Sequence, residues 1–575
     1  MNAYWKMLHC DLENGAVSER PWSVERHLGG RGLTSRWLLE HLDPACRPLG
    51  PENVLIFATG LLGGSGASSS YRLSAGGKSP LTGGIKESSS GGMAGFALSE
   101  LGIRALILHG AAEQLSLLHL GPQGARLRSC PELFRRDLYT TASRLKEEYG
   151  RGAAVIAVGP AGEMGLAAAA LGITDGDRVP ARHAARGGLA AVMGCKNLKA
   201  VVIDPGEARR PEPTDPAGLK AACRRLAWAL LDHSTTGKTL PEYGTAVIVN
   251  IVNNLGGLPT RNYSEGVFAG ADEISGETLR ELIQERDGKP THACMPGCVI
   301  RCSNVVPEEE GGELNRALEY ETITLLGSNC GIDDLDVINR LNKRCDQLGV
   351  DTIEVGAAIG VAMEAGLAAF GDGKAAMRMV EEIGQGTWLG RLLGSGAQIT
   401  GETLGVDHIP VVKGQAMAAY DPRVLKGTGV TYATSPMGAD HTAGNALPGA
   451  RLPDGTAPDV GDPEGQLRLS RHLQQVAAVL DTLGLCWFSR PPILDDFTLV
   501  TDLLEALYGG EWTREQLFRT ARGTLRSEVE FNRRAGLVEK DDLPGYFRTE
   551  SLEPTGSVFD VDQGDLQNIS NWLED

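Results

Sequence analysis

The sequence predicts an α+β protein, in which an N-terminal β-rich, sandwich-like domain is followed by two mainly α-helical domains. In the first 205 residues, short apolar runs are separated by glycine-bearing turns, which is typical of strands. In the later part of the chain, apolar residues recur at spacings of three and four, the period of an amphipathic helix. We place the three domains at residues 1–207, 208–405 and 406–575.

The N-terminal domain is predicted to contain strands at residues 53–58, 105–109, 115–120, 153–158 and 199–203. Small residues predict loops at 60–66 and 88–92. A basic, proline-bearing stretch at 209–216 predicts a linker, and Asp215 followed by Pro216 is typical of a helix start.

The helical part is predicted to contain helices at residues 219–232, 278–286, 332–348, 353–370, 465–483 and 498–507. The segment 413–441 is mixed and glycine-bearing, and we predict a loop-like structure there. No repeat of solenoid period is visible in the sequence.

Composition excludes several classes of protein. The 55 basic and 73 acidic side chains give a formal net charge of −18, which argues against nucleic-acid binding. No apolar run reaches the roughly 18 residues of a membrane span, and the first residues lack a signal core, so we expect a cytoplasmic protein without membrane contact. Eleven scattered cysteines do not indicate a disulfide scaffold and are better interpreted as metal ligands or reactive thiols.

Glycine is unusually abundant, at 75 of 575 residues against a usual share of about 7%. Glycine is found where the backbone turns tightly or approaches another group closely. A large cofactor and a small-residue fold with many turns would both explain the excess.

Three cysteines lie within nine residues, at Cys294, Cys298 and Cys302. Thiolates this close together on a short segment can bind one iron–sulfur cluster or one zinc ion, with the fourth ligand from elsewhere. The spacing alone does not choose between the two metals.

A second pattern occurs twice, as DQLGVD at 346–351 and DTLGLC at 481–486. Each copy follows a predicted helix and places glycine where helices end. The pair indicates either two similar loops holding two similar parts of a ligand or two ordinary helix ends.

Two nucleotide-binding patterns fail. Residues 76–79 resemble the end of a P-loop, but the required first glycine would be at position 72, which is an arginine. The glycines at 159–165 follow a predicted strand, but their spacing is G-x-x-G-x-x-G. Neither a His-Glu-x-x-His nor a G-x-S-x-G motif occurs.

Taken together, these motifs resemble the aldehyde ferredoxin oxidoreductase family over nearly the whole chain. Beyond the cysteines and both D-x-x-G motifs, the matches are GGRG (29–32), ATGLLGG (58–64), SPLT (79–82), SSGG (89–92), RGGLAAVMG (186–194), LPTRN (258–262), EYET (319–322), YDPR (420–423) and GADH (438–441). The resemblance implies tungsten or molybdenum on two pterin dithiolenes, one four-iron–four-sulfur cluster, and magnesium bridging the pterin phosphates.

The resemblance also implies roles for individual residues. The implied cluster ligands are Cys294, Cys298, Cys302 and Cys486. The implied pterin-site residues are Arg72, Ser89, Gly91, Arg182, Ala184, Arg186, Asp346, Asp351, Asp481, Leu485 and Cys486, with residues 1–207 forming the base of that site. Carboxylates suit this role because they accept hydrogen bonds from the N–H groups of a pterin.

For catalysis, the resemblance implies Glu321 and His441 beside the metal. Oxidation of an aldehyde requires a base for water or the hydrate and a donor that polarises the carbonyl, and we assign these roles to Glu321 and His441 respectively. Tyr320 and Asp440 are expected to support them.

Some positions depart from the family pattern. Three residues instead of two separate Cys294 from Cys298, Ser89 replaces an asparagine, and Ala416 replaces a residue that is often acidic. No Glu-x-x-His motif occurs, so the dimer-bridging iron site of some archaeal members has no counterpart in the sequence.

The expected activity is oxidation of aldehydes to carboxylic acids, with electrons passing to ferredoxin or a ferredoxin-like subunit of a homodimer or hetero-oligomer. A rival is the catalytic subunit of a low-potential aryl-CoA reductase of the benzoyl-CoA type. A second rival, of a different class, is a zinc-stabilised scaffold without catalytic activity.

Overall fold

The N-terminal region of the computed structural model, which describes residues 4–24, 28–309, 311–537 and 541–567, contains two six-stranded sheets. The first sheet has the order β2-β1-β6-β3-β4-β5 and consists of β1 (Lys6–Asp11), β2 (Val17–Pro21), β3 (Leu55–Thr59), β4 (Leu73–Lys78), β5 (Ile85–Ser90) and β6 (Ile103–His109). The second has the order β11-β10-β9-β12-β7-β8 and consists of β7 (Ser116–Gly121), β8 (Gly124–Ser129), β9 (Ala154–Val158), β10 (Leu171–Ile173), β11 (Arg182–Ala184) and β12 (Leu198–Ile203).

The two sheets share one topology. If six is added to each strand number of the first sheet, the result is the order of the second sheet read from its other edge. In both, the first and last strands of the unit pair in parallel, β1 with β6 and β7 with β12, and every other neighbouring pair is antiparallel. The N-terminal region is therefore a structural duplication, which the sequence does not reveal as a repeat.

Helices fill the space between the sheets. This region contains α1 (Gly30–His41), α2 (Ala94–Glu100), α3 (Leu138–Tyr149), α4 (Pro160–Glu163) and α5 (Leu189–Cys195). Both α2 and α5 contact strands of the two sheets, and apolar residues of both sheets belong to one continuous core. The predicted sandwich is thus built with two helices between its sheets.

The rest of the chain is mainly helical. Its helices are α6 (Pro216–Asp232), α7 (Leu240–Tyr243), α8 (Ile248–Asn254), α9 (Gly276–Glu285), α10 (Tyr320–Leu326), α11 (Leu335–Leu348), α12 (Thr352–Glu364), α13 (Gly373–Gln385), α14 (Trp388–Gly394), α15 (Ala397–Leu404), α16 (Lys426–Thr434), α17 (Gln466–Leu483), α18 (Arg490–Asp495), α19 (Thr498–Tyr508), α20 (Arg514–Arg534), α21 (Tyr546–Thr549) and α22 (Gln563–Gln567). Short strands form two small sheets, β13 (Lys289–His292), β14 (Ser303–Pro307) and β15 (Glu313–Arg316), and β16 (Val411–Val412) with β17 (Gln415–Ala416).

These observations confirm the predicted fold class. Helix α6 begins as predicted, because Pro216 occupies its first position and the Asp215 carboxylate accepts hydrogen bonds from the backbone N–H groups of Ala217 and Gly218. Among the helices of the described residues, none combines the length and the apolar character needed to cross a membrane.

Three predictions about elements were wrong. The helix predicted at 353–370 ends at Glu364, because Gly366 adopts a positive φ of 82°. The segment 413–441, predicted as a loop, contains α16, whose nine residues are all buried and therefore show no amphipathic period. Residues 88–90, predicted as a loop, form the end of β5.

Candidate cofactor and active site

The two D-x-x-G motifs form equivalent loops. Helices α11 and α17 end immediately before Gly349 and Gly484, which adopt the left-handed conformation with φ of 69° and 77°. The carbonyl oxygen of Gly349 accepts a hydrogen bond from the N–H of Ala170 at 2.8 Å, and that of Gly484 accepts one from the N–H of Arg72 at 3.1 Å. Ala170 and Arg72 directly precede the equivalent strands β10 and β4, so each loop docks against its own half of the duplicated domain.

Glycine is required on the other side of each contact. A Cβ at Gly60, which follows β3, would lie 2.1 Å from the nitrogen of Gly484, and a Cβ at Gly159, which follows β9, would lie 2.2 Å from the carbonyl oxygen of Leu348. Real Cβ atoms do not approach backbone atoms so closely. Gly159, the first glycine of the pattern at 159–165, is therefore needed for the first D-x-x-G loop to pack against β9.

Asp481 lies beside a permanent cation. Its carboxylate is 3.4 Å from Arg31, which also forms two hydrogen bonds of 2.8 Å to the fully buried Glu528. Burial raises the pKa of Asp481 to about 6, against the opposing effect of Arg31 and Arg72. Burial also raises the pKa of the neighbouring Glu87, to about 8.

Asp346 lies instead beside a histidine. Its Oδ1 is 3.5 Å from Nδ1 of His183, whose Nε2 is buried without a hydrogen-bond partner. Burial raises the pKa of Asp346 to about 8 and lowers that of His183 to about 4, so His183 is uncharged at neutral pH. Oδ1 of Asp351 accepts a hydrogen bond from Ile353 at the start of α12, and its Oδ2 lies 3.3 Å from Nε of Arg186 without the alignment of a hydrogen bond.

The four predicted cluster cysteines come together from two parts of the chain. Cys294, Cys298 and Cys302 lie between β13 and β14, and Cys486 follows α17. Ser69 joins the two groups, because its Oγ lies 3.6 Å from Sγ of Cys298 and its carbonyl oxygen accepts a hydrogen bond of 2.9 Å from the N–H of Cys486.

The thiols of this group influence one another. A hydrogen bond between Cys294 and Cys298 lowers the pKa of Cys298 to about 6 and raises that of Cys294. Burial raises the pKa of Cys302 and Cys486, and the charge of Cys298 contributes to both. Together the four thiols form one electrostatically coupled set.

Three of the predicted pterin-site residues are arginines, Arg72, Arg182 and Arg186. Arg72 donates to the carbonyl oxygen of Ser89 at 2.8 Å and to its Oγ at 2.9 Å. Arg182 donates to Ser303 at 2.8 Å, whereas its Nε and Nη2 are buried without partners, as are Nε and Nη1 of Arg186. Buried guanidinium groups with unpartnered donors are suited to an oxyanion.

Glu321 and His441 form a pair. Glu321 lies in the first turn of α10, its Oε2 accepts a hydrogen bond of 2.8 Å from Ala419, and its Oε1 is 3.4 Å from Nε2 of His441. Oε1 of Glu321 and Nδ1 of His441 are buried without hydrogen-bond partners. The predicted supporting residues are nearby, since Tyr320 donates to the carbonyl oxygen of Ala419 at 2.5 Å and Asp440 accepts from Lys86 at 2.6 Å.

One cavity of about 1070 Å³ connects these features. Of the predicted site residues, its wall contains Arg72, Ser89, Gly91, Arg182, Cys294, Cys302, Glu321, Asp346, His441, Asp481 and Cys486. The others, Ala184, Arg186, Cys298, Asp351 and Leu485, lie outside that wall. Ala184 pairs with Leu171 within the second sheet, and Leu485 is fully buried.

Several residues of this region are not among the predicted site residues. Arg31 lies within the GGRG motif, which could have identified it, and His183 lies between two residues that were predicted. Tyr420, whose ring centroid is 6.1 Å from that of His441, lies within the YDPR motif. At the atypical position Ala416, the backbone N–H donates to the buried Glu354 at 3.0 Å, and the side chain is fully buried away from the cavity wall.

Comparison with known proteins gives consistent matches. The family model described as aldehyde ferredoxin oxidoreductase, N-terminal domain, matches residues 7–205, and the model for domains 2 and 3 of the same family matches residues 222–568. The tungsten-containing aldehyde ferredoxin oxidoreductase of Pyrococcus horikoshii is 34% identical over 96% of this chain and 93% of that protein. The WOR-like subunit of an aliphatic sulfonate oxidoreductase of Pyrococcus furiosus is 29% identical over 77% of this chain and 75% of that protein.

Among solved structures, the fold is similar to that of the active-site complex BamBC of benzoyl coenzyme A reductase in complex with 1,5-dienoyl-CoA. The TM-score is 0.82, at 18% sequence identity, over 100% of this chain and 95% of that chain. With both family models matched along most of its length, this chain belongs to the aldehyde ferredoxin oxidoreductase family, whose tungsten-containing members are oxidoreductases.

Proposed function

We propose that this protein oxidises aldehydes to carboxylic acids at a tungsten or molybdenum centre held by two pterins. The observation that carries the proposal is the Glu321–His441 pair, 3.4 Å apart, in the wall of the cavity that also contains Asp346, Asp481 and Cys486. A base and a proton donor thus face the same space as the groups suited to a large cofactor.

The residues of the cavity fit two pterins. Asp346, which is buried, and Asp481, which is half-buried, occupy equivalent positions of the two loops. Each can accept hydrogen bonds from the N–H groups of one pterin. The unpartnered donors of Arg182 in the cavity wall suit a pterin phosphate, as do those of Arg186, which is buried outside that wall. Magnesium bridging those phosphates would then be bound next to Ser89 and Ala184, at the ends of the equivalent strands β5 and β11.

The four cysteines fit a four-iron–four-sulfur cluster as the route by which electrons leave. Cys486 belongs to the second D-x-x-G loop and to the cysteine group, so the cluster would lie directly beside one pterin. Arg72 would lie between the cluster and this pterin. Burial opposes its charge, but Cys486, Cys294 and Asp481 raise its pKa above the ordinary value. Ferredoxin or a ferredoxin-like subunit would accept the electrons.

The overall reaction converts an aldehyde and water into a carboxylic acid, two protons and two electrons. When bound, the metal–pterin group supplies the two-electron chemistry. Oε1 of Glu321, which has no hydrogen-bond partner, accepts a proton from water, and an N–H of His441 donates to the carbonyl oxygen. The buried Asp440 lies beside His441 in sequence, and its pKa is held low because Lys86 and Arg186 outweigh burial, so Asp440 stays ionised.

The test is the anaerobic kinetics of Glu321→Gln and His441→Asn with short-chain aldehydes. We expect kcat to fall about 10²- to 10⁴-fold in each variant, with unchanged metal content, because a positioned base or acid contributes a factor of that order. His408→Asn is the matched control, since His408 binds Glu364 and Glu550 outside the cavity wall.

Other outcomes would support the rival functions. Reduction of an aryl-CoA thioester without turnover of any aldehyde would favour the aryl-CoA reductase. Zinc without iron, tungsten or molybdenum in the purified protein would favour a scaffold. In either case the roles of Glu321 and His441 given above would be wrong.

A further inference from the structure

Arg490 is a cation in the cavity that the proposed chemistry does not use. It begins α18, four residues after Cys486, and lines the same cavity as Glu321 and Tyr420. Its guanidinium lies over the ring of Trp487, with Cζ 4.0 Å from the ring centroid, and its Nη1 is buried without a hydrogen-bond partner. Burial lowers the pKa of Arg490 to about 10, with Tyr420 the group that opposes this effect.

Arg490 is half-buried, whereas the fully buried arginines of the described structure have acceptors. Arg31 is paired with Glu528 at 2.8 Å, Arg423 with Asp421 at 2.7 Å, and Arg104 donates to the carbonyl oxygens of Gly60 and Gly63. Asp495, at the other end of α18, lines the same cavity but forms no ion pair with Arg490 among the described residues. A guanidinium held in a protein wall without an acceptor is unfavourable unless a ligand supplies the anion.

The outer part of the cavity is also basic. Arg514 and Arg451 line it, and Arg514, His472, Leu452 and Pro453 are shared with an adjoining surface cleft of about 540 Å³. That cleft contains three further arginines, Arg468, Arg471 and Arg522, of which Arg468 is paired with Asp454 and Arg522 with Glu515. The protein has a formal net charge of −18, but arginines line both this surface cleft and the part of the cavity that adjoins it. Their positive charge would attract anions toward the cavity that contains Arg490.

We propose that the substrate is an aldehyde that carries an oxyanion of its own, a carboxylate, sulfonate or phosphate, and that Arg490 binds this group while the aldehyde faces Glu321 and His441. The basic cleft is the entrance. This inference rests on the proposed aldehyde oxidation and names its substrate class.

The test compares 4-oxobutanoate, its methyl ester and butanal, which share a chain length and differ in charge, together with 3-oxopropanesulfonate and 3-phosphonopropanal. We expect the wild-type enzyme to prefer at least one anionic aldehyde to butanal by tenfold or more in kcat/KM. Arg490→Met should reduce that preference by at least about tenfold, because a charge-assisted hydrogen bond contributes a factor of this order. Arg490→Lys should restore part of it, since lysine keeps the charge without the bidentate geometry.

Arg533→Met is the matched control, because Arg533 is exposed and paired with Glu530, and it should keep the wild-type preference. Two results would overturn the proposal: a wild-type enzyme that prefers the methyl ester or butanal to every anionic aldehyde, or an Arg490→Met enzyme whose preference is unchanged. Loss of pterin from Arg490→Met would also overturn it, since Arg490 would then bind the cofactor.

Failure of the proposed oxidation is distinguishable from failure of this inference. Succinate and its neutral diamide can be compared as ligands by the shift of the unfolding temperature, without turnover. Stabilisation by succinate alone, absent in Arg490→Met, would support anion binding at Arg490 even if no aldehyde were oxidised. Equal effects of both compounds on the wild-type and variant proteins would contradict it.

Discussion

The two halves of the cavity are built on sheets of the same topology but carry different side chains. Each half contributes a sheet of one topology, a D-x-x-G loop and a glycine against which that loop packs. At equivalent positions, however, one half has Arg72 where the other has Ala170, and Cys486 where the other has Asp351. The duplicated topology thus supplies two similar loop sites, and only the second carries a cysteine and an arginine at these positions.

The electrostatic environments of the two loop aspartates, Asp346 and Asp481, also differ. Asp481 lies beside the permanent charge of Arg31, which Glu528 fixes, whereas Asp346 lies beside an uncharged histidine. Accordingly the pKa of Asp481 is raised less, to about 6, than that of Asp346, to about 8. Variants of matched residues in the two halves should therefore behave differently.

The largest difference is expected between Cys486→Ser and Asp351→Asn. Because Cys486 belongs to both the thiol group and the second loop, its loss should remove the iron–sulfur absorption and reduce pterin retention together. Asp351→Asn should keep the iron content, since Asp351 caps α12 and forms no hydrogen bond to any of the four cysteines in the described structure. Iron analysis and pterin release after anaerobic purification measure both effects. Loss of only one of the two signals in Cys486→Ser would contradict the shared position.

A smaller difference is expected between Arg31→Met and His183→Ala. Arg31→Met leaves the fully buried Glu528 with Ser35 as its remaining donor and should lower the free energy of unfolding by about 3–5 kcal/mol. His183→Ala removes a contact of 3.5 Å and should lower it by less than about 2 kcal/mol. Denaturant titration gives both values, and the double variant with Glu528→Met should recover part of the first loss. Equal losses of unfolding free energy in Arg31→Met and His183→Ala would contradict the proposed difference between the environments of the two loops.

The smallest difference concerns pH. The pKa of Asp346 is raised from 3.8 to about 8 by folding, so its contribution to stability is present below about pH 4 and is lost as the pH rises to 8. For Asp481 the corresponding loss ends near pH 6. In protein expressed without cofactor, Asp346→Asn should therefore flatten the decline in unfolding free energy up to pH 8, and Asp481→Asn only up to pH 6. Identical profiles for the two variants would show that the loops share one environment.

The sequence predicts features that depend on short segments. The D-x-x-G loops, the three clustered cysteines and the start of α6 are each determined by fewer than ten consecutive residues. The family resemblance placed both Glu321 and His441 beside the metal, but their contact, across 120 positions of sequence, was not predicted. Sequence order does not indicate how such distant residues meet.

Other features have no local pattern. The contact between Arg31 and Glu528 joins residues 497 positions apart, and no periodicity indicates it. Helix α16 is buried on every side, so its apolar residues show no helical period. The two sheets have the same strand order but no visible sequence repeat. Many different combinations of small and β-branched residues can form equivalent strands, so a shared topology does not require a shared sequence.

The central claim is that the two loops and the four cysteines hold a double pterin centre and an iron–sulfur cluster in one cavity. The most direct test is the metal and pterin content of the wild-type protein purified without oxygen. We expect one tungsten or molybdenum, about four iron atoms and two pterins per chain. Zinc alone, without iron, tungsten, molybdenum or pterin, would contradict it.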